Sequence, residues 1–220
     1  MPQLTDPPPV PADAENHLAQ IRFFLEAFAG DGAALTTNNT LNRALLTEAC
    51  HRFNWLILGR QAPPENQLPE AGHLRRILTQ LGATRRTGRR LRLTPRGRDL
   101  LNADTPTLWE AVTGTLIPTD PAQAAAAETT LLVLLTRPPP AYRSPAVADI
   151  LTSEGWRTGS GEPLTADRTG WLTGPAYGRL DFLHLTGKAT LTHHAPLTDI
   201  GRAAATTALR QQAHQPRHRP

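Results

Sequence analysis

The sequence predicts a mainly α-helical fold with short β-hairpins, an α+β chain built as two tandem units. Three observations carry that prediction. Apolar residues recur at helical spacing along most of the chain. After Gly82 the pattern switches to strand-like alternation around a tight turn. A set of residues in the first half recurs in the second, on the far side of a proline-bounded break at Pro118 to Pro121.

Residues 1–13 are rich in proline (Pro7, Pro8, Pro9, Pro11) and read as a disordered leader; 213–220 read as a disordered tail. Between them the reading gives a first domain over 14–117 and a second over 122–212. From Ala14 a helix places Leu18, Ile21, Phe24, Leu25 and Phe28 on one face until Gly30 and Gly32 stop it. Leu35-Thr36 reads as a very short strand. Thr37-Asn38-Asn39 offers caps for a second helix with Leu41, Leu45, Leu46, Ala49 and Phe53 inward. A third helix is expected from about Glu70 to Leu81, closed by Gly82.

Next, Ala83 to Arg86 and Arg89 to Thr94 flank Thr87-Gly88, where glycine supplies positive φ. Leu91 and Leu93 alternate with Arg90 and Arg92, so one face of the second strand packs and the other is cationic. Thr94-Pro95 caps and starts a further helix. Three helices, a hairpin and a helix is the order of a winged helix. Thr105 to Ile117 reads as one more helix. In the second half, helices are expected to Leu135, over Ser144–Glu154, over Thr165–Leu172 and over Pro175–Leu185. At an offset of 104, Leu78, Leu81, Leu93, Thr94, Gly97 and Arg98 fall on Phe182, Leu185, Leu197, Thr198, Gly201 and Arg202. The spacing runs without a gap, which reads as duplication into two winged-helix-like units.

Charge separates the two halves. Hydrophobic residues make up 39% and charged residues 19%, enough for a buried core. Arginine supplies 22 of the 23 basic residues. Residues 71–98 hold nine of them and no Asp or Glu, while the rest of the chain carries 14 basic against 19 acidic residues. Single-sign charge gathered in one segment points to a polyanionic partner. The longest apolar run, Thr130 to Thr136, is too short to cross a bilayer, and the N-terminus lacks the basic start and apolar stretch of a secretory signal. With Cys50 the one cysteine, no internal disulfide forms. These features place the chain in the cytoplasm, without a membrane.

Clustered arginines neutralise phosphates and release counterions, which gives sequence-independent affinity for DNA. The expected contact set is Arg75, Arg76 and Gln80 on the third helix, where side chains reach base edges, with Arg85, Arg86, Arg89 and Arg90 on the hairpin and Arg96 after it. The competing reading is a solvated face in an arginine-biased chain. Arg92 and Arg98 are as ready to pair with a carboxylate, such as Asp99 or Glu110, as to touch DNA. The second hairpin has His193 and His194 where the first has Arg89 and Arg90, and reads as structural or as a surface for a protein partner.

No catalytic constellation emerges, so the chain reads as a non-enzyme with no cofactor. Phosphate-cradling glycine loops, nucleophile elbows and metal-ligand spacings do not occur. Cys50 and His51 are adjacent on a helix and diverge by about 100°, and Cys50 reads as a small buried residue. His184, His193 and His194 lack framing Cys or carboxylate ligands. Trp109, Trp156 and Trp171 read as core anchors, and Asp167 and Asp181 as cap and surface charges.

The stretch Leu35-Thr36, Leu41-Asn42-Arg43-Ala44, His73 to Leu78, Leu81-Gly82 and Gly88 to Arg98 resembles a largely uncharacterised group of high-GC bacterial proteins with tandem winged helices. Leu93-Thr94-Pro95-Arg96-Gly97-Arg98 is also similar to the wing-to-helix step of winged-helix regulators of the MarR and PadR type. Gly155-Trp156-Arg157, Pro196-Leu197-Thr198 and Gly201-Arg202-Ala203 resemble the second unit of the same group. Where that group has a glycine after its first Leu-Thr, this chain has Asn38-Asn39. The resemblance implies fold more than function. Two readings follow: a double-stranded-DNA-binding transcriptional regulator or accessory factor, with an oligomer possible; or a non-enzymatic interaction scaffold whose basic hairpin meets an acidic protein.

Overall fold

The computed structural model describes residues 9–55, 62–136, 143–187 and 195–214. The chain is mainly helical with a small antiparallel three-stranded sheet. It divides into two compact units, one of 13–111 and the other of 112–220 together with 1–12. That division lies inside a helix, Thr105–Gly114, a few residues before Pro118.

The first unit opens with α1 (Ala14–Phe28), whose Leu18, Ile21, Phe24, Leu25 and Phe28 are all buried, as the periodicity predicts. The short strand falls at β1 (Ala33–Ala34), two residues earlier than expected, and Leu35 bridges to Leu41. Between them Thr36 N–H donates to Thr40 O at 2.8 Å, and Asn39 takes φ +59°. Asn39 thus adopts the left-handed conformation that glycine would otherwise supply, which asparagine tolerates better than most residues.

The cap of α2 (Arg43–Phe53) is Asn42, whose side chain accepts from Leu45 N–H at 2.9 Å. The 37–39 segment is spent on the turn and caps nothing. Helix α3 (Pro69–Gln80) buries Leu74, Ile77 and Leu78. Strands β2 (Thr84–Thr87) and β3 (Arg90–Leu93) form the hairpin, and β1 adds to the far side of β3. Thr94 caps α4 (Pro95–Leu101) by accepting from Gly97 N–H at 3.0 Å, with Pro95 in the first turn as predicted.

Helix α5 (Thr105–Gly114) spans the division, and the second unit continues with α6 (Pro121–Thr136) and α7 (Arg143–Ser153). Ala126, Val133, Val147, Leu151 and Leu172 share a core cluster. The two helices expected over 165–172 and 175–185 are one, α8 (Ala166–Phe182), with Pro175 inside it. Proline removes one hydrogen bond and costs about 3 kcal/mol in a helix interior. Burial of Leu172 and Thr173 before it, and Ala176 and Leu180 after it, offsets that loss. Helix α9 (Asp199–Ala213) closes the unit.

Local geometry recurs in both units, but not at a single offset. Leu35↔Leu41 and its Thr36–Thr40 turn match Arg157↔Pro163 and its Thr158–Glu162 turn, where Gly161 at φ +83° replaces Asn39. At the end of α3, Ala83 N–H donates to Leu78 O and Gly82 has φ +62°; at the end of α8, Leu185 N–H donates to Leu180 O and His184 has φ +53°. Ala83 therefore corresponds to Leu185, whereas Thr94 corresponds to Thr198. The gapless 104-residue register is corrected: the second connection is two residues longer. Most of it, with His193 and His194, lies outside the described residues.

Candidate nucleic-acid interface

The hairpin is fixed at both ends by backbone chemistry. Gly82 turns the chain out of α3, and Thr94 Oγ1 donates to Gly82 O at 2.6 Å. Gly97 packs so closely that a Cβ there would collide with the Ala83 carbonyl. At the tip, Gly88 takes φ +58° and Thr87 pairs with Arg90, so the turn is Gly88-Arg89 and not Thr87-Gly88.

Register decides which arginines share a face. Arg86 lies opposite Leu91, and Thr84 opposite Leu93, on the side where the leucines are buried. Arg85 lies opposite Arg92, and Thr87 opposite Arg90, on the other side. The cationic face is therefore Arg85, Arg90 and Arg92. Arg86 projects from the opposite face of the edge strand, and its Nε donates back to Gly88 O at 3.0 Å.

Partners divide the set further. Arg90 donates to Gly32 O at 2.9 Å and to Asp31 O at 3.3 Å, so it ties β3 to the turn before β1. Arg92 donates to Asp31 O at 3.0 Å and stands 3.6 Å from the Asp31 carboxylate. On α3, Arg75 is 3.6 Å from Glu65, a half-buried pairing that turns it away from a free surface. Arg76 is exposed, with Nη2 3.3 Å from His73 Nδ1, and Gln80 is half-buried at the end of the helix. Among the described residues, the side chains of Arg85, Arg89, Arg96 and Arg98 have neither a carboxylate nor a hydrogen-bond partner, and all four residues are exposed.

The carboxylate expected beside Arg92 is that of Asp31, whereas Arg98 pairs with none among the described residues. Both arginines line a recess of about 300 Å³ with Arg85, over Phe28, Leu93 and Asn102. Three arginine residues thus border one concavity, where field lines are focused more strongly than over a flat surface. Arg92 was legible from its alternation with Leu91 and Leu93. Arg98 was not, because its place depends on how α4 packs against the sheet.

No protein-family model, curated protein or solved structure matches the chain.

Other candidate chemistry is limited. Among the described residues no group of three His, Cys, Asp or Glu side chains is placed to hold a metal ion. Cys50 is buried, and desolvation, with the nearby Glu70 charge, pushes its thiol above the ordinary range. His51 beside it is exposed. Trp109 is buried and Trp156 half-buried, but Trp171 is 65% exposed and is not a core anchor. Arg179, which periodicity did not single out, is buried and donates to the Thr115 carbonyl. No described helix is long and apolar enough to cross a membrane.

Proposed function

We propose that the 13–111 unit is a winged-helix module that binds double-stranded DNA, with the β2–β3 hairpin as its wing, in a regulatory or accessory role. The supporting observation is the group Arg85 on β2, Arg89 at the hairpin turn and Arg96 at the start of α4: exposed, close in sequence, and with side chains that have no carboxylate partner among the described residues. Duplex DNA presents one negative charge per roughly 1.7 Å of axis, so such a group gains affinity by displacing condensed counterions. Arg76 extends the same charge onto α3, while Arg75, Arg90 and Arg92 hold the scaffold in shape. Arg98 adds to the recess beside the ribbon, where one phosphate group can be seated.

The second unit fits a supporting role. Its α8 is continuous where the first unit separates α2 from α3, so it does not present an independent recognition helix after a turn. Strong single-sign charge of the kind found in 71–98 is confined to the first unit.

The test is a gel shift of the full chain with random-sequence duplex at moderate salt, beside a variant carrying Arg85→Ala, Arg89→Ala and Arg96→Ala. A shift at micromolar protein, weakened uniformly across sequences in the variant, is expected. The absence of any shift overturns the proposal and favours an acidic protein partner for the hairpin.

A further inference from the structure

Helix α8 carries a tryptophan that lies largely outside the core. Trp171 is 65% exposed, beside Leu172, which is buried in the core of the second unit. It lines a pocket of about 360 Å³ whose apolar wall is Leu151, Trp156, Leu164 and Leu172. The polar part of the lining comes from Arg157, Arg168, Thr158 and Gly159, with no Asp or Glu. Two cationic side chains therefore meet two indoles in one concavity.

The rim is held before any ligand arrives. Arg157 donates to Thr152 O at 2.6 Å and to Trp156 O at 2.8 Å, which fixes the guanidinium against the end of α7. Thr158 N–H donates to Glu162 O at 2.9 Å across the turn, and Leu164 N–H donates to Thr152 Oγ1 at 3.1 Å. Arg168 and Trp171 lie three residues apart on α8, hence on one face of the helix. Among the described residues the Arg168 side chain has no hydrogen-bond or ion-pair partner.

We infer that this pocket binds a small aromatic acid, its ring stacked against Trp171 and its anionic group on Arg168, with Arg157 as a fixed second positive charge. Three features specify that chemistry. A planar ring gains most from an indole that is half open to solvent. Carboxylate and phosphate groups match the fork of a guanidinium, and the lining offers no acid to compete. The volume lies at the small end of ligand pockets, which suits a one- or two-ring molecule. The inference does not depend on DNA binding by the first unit.

Isothermal calorimetry of the full chain with 2-naphthoate tests it, with cyclohexanecarboxylate and 2-naphthylmethylamine as controls. Saturable binding of 2-naphthoate is expected, with the non-aromatic acid about tenfold weaker and the cation not binding. Arg168→Ala and Trp171→Ala each lower the affinity for 2-naphthoate by about tenfold, whereas Trp171→Phe retains most of it. Both side chains are exposed, so the variants keep the wild-type circular dichroism spectrum. No saturable heat, equal binding of all three probes, or unchanged affinity in both alanine variants overturns the assignment.

Discussion

Arg85 and Arg92 stand directly opposite each other across the β2–β3 ladder, two like charges at a position where opposed charges of one sign destabilise a sheet. Asp31 answers Arg92 at 3.6 Å, and no carboxylate answers Arg85 among the described residues. Such a pairing is kept at some cost to the fold, and a polyanionic ligand would relieve it. Arg85→Thr is therefore expected to raise stability by about 0.2–1 kcal/mol in a denaturant melt while weakening duplex binding. A variant that loses stability and binding together contradicts this.

Gly97 and Gly201 close the two units by the same contact. A Cβ on Gly97 would strike the Ala83 carbonyl, and one on Gly201 the Leu185 carbonyl. Each backbone is rigid there, because Thr94 and Thr198 side chains accept from the respective glycine N–H at 3.0 Å. Alanine at either position should cost about 1–3 kcal/mol, read as a lower melting midpoint. Gly30→Ala makes a useful contrast: its Cβ meets no atom within 4 Å, so the penalty there comes from positive φ alone.

Glu65 joins three parts of the first unit. Its carboxylate accepts from Leu41 N–H at 2.5 Å and sits 3.6 Å from Arg75. Glu65→Ala leaves a part-buried N–H unanswered and should destabilise by about 1–3 kcal/mol, with Glu65→Gln losing less because an acceptor remains. Urea unfolding of both variants checks the order. Equal losses would mean that charge, not the hydrogen bond, holds Glu65 in place.

Acid sensitivity follows from Glu15. Hydrogen bonds from the Arg22 side chain and the Thr105 hydroxyl hold its carboxyl below the ordinary glutamate range. A lowered folded-state pKa means that its stabilising contribution is complete above the ordinary glutamate pKa and disappears as pH falls through the folded value. Asp104 is lowered in the same direction by its bonds to Thr107. Between neutral pH and the ordinary carboxylate range Glu15→Gln should show a constant deficit relative to wild type. That deficit should shrink on further acidification, which thermal melts across the range will reveal.

Most of the first unit was legible in the sequence. The α1 stripe, the Thr94-Pro95 cap and the split of β3 into a leucine face and an arginine face follow from spacing alone. What spacing could not show was tertiary competition for each arginine. Arg75 and Arg90 read like Arg85 in the chain, yet Glu65 engages the first and the 31–32 carbonyls the second. In the second unit, Pro175 looks like a break because its local cost is visible, whereas the burial that offsets it is not. Trp171 reads as core by residue type and is exposed because the inward position on α8 falls to Leu172.

The most direct test of the cationic ribbon is the anisotropy of a labelled random duplex titrated with the full chain at several salt concentrations. Phosphate contacts by Arg85, Arg89 and Arg96 contribute roughly −3 to the log–log slope, which becomes shallower by about that amount when all three become alanine. Affinity that does not change with salt, or a slope left unchanged by the triple substitution, would contradict the account.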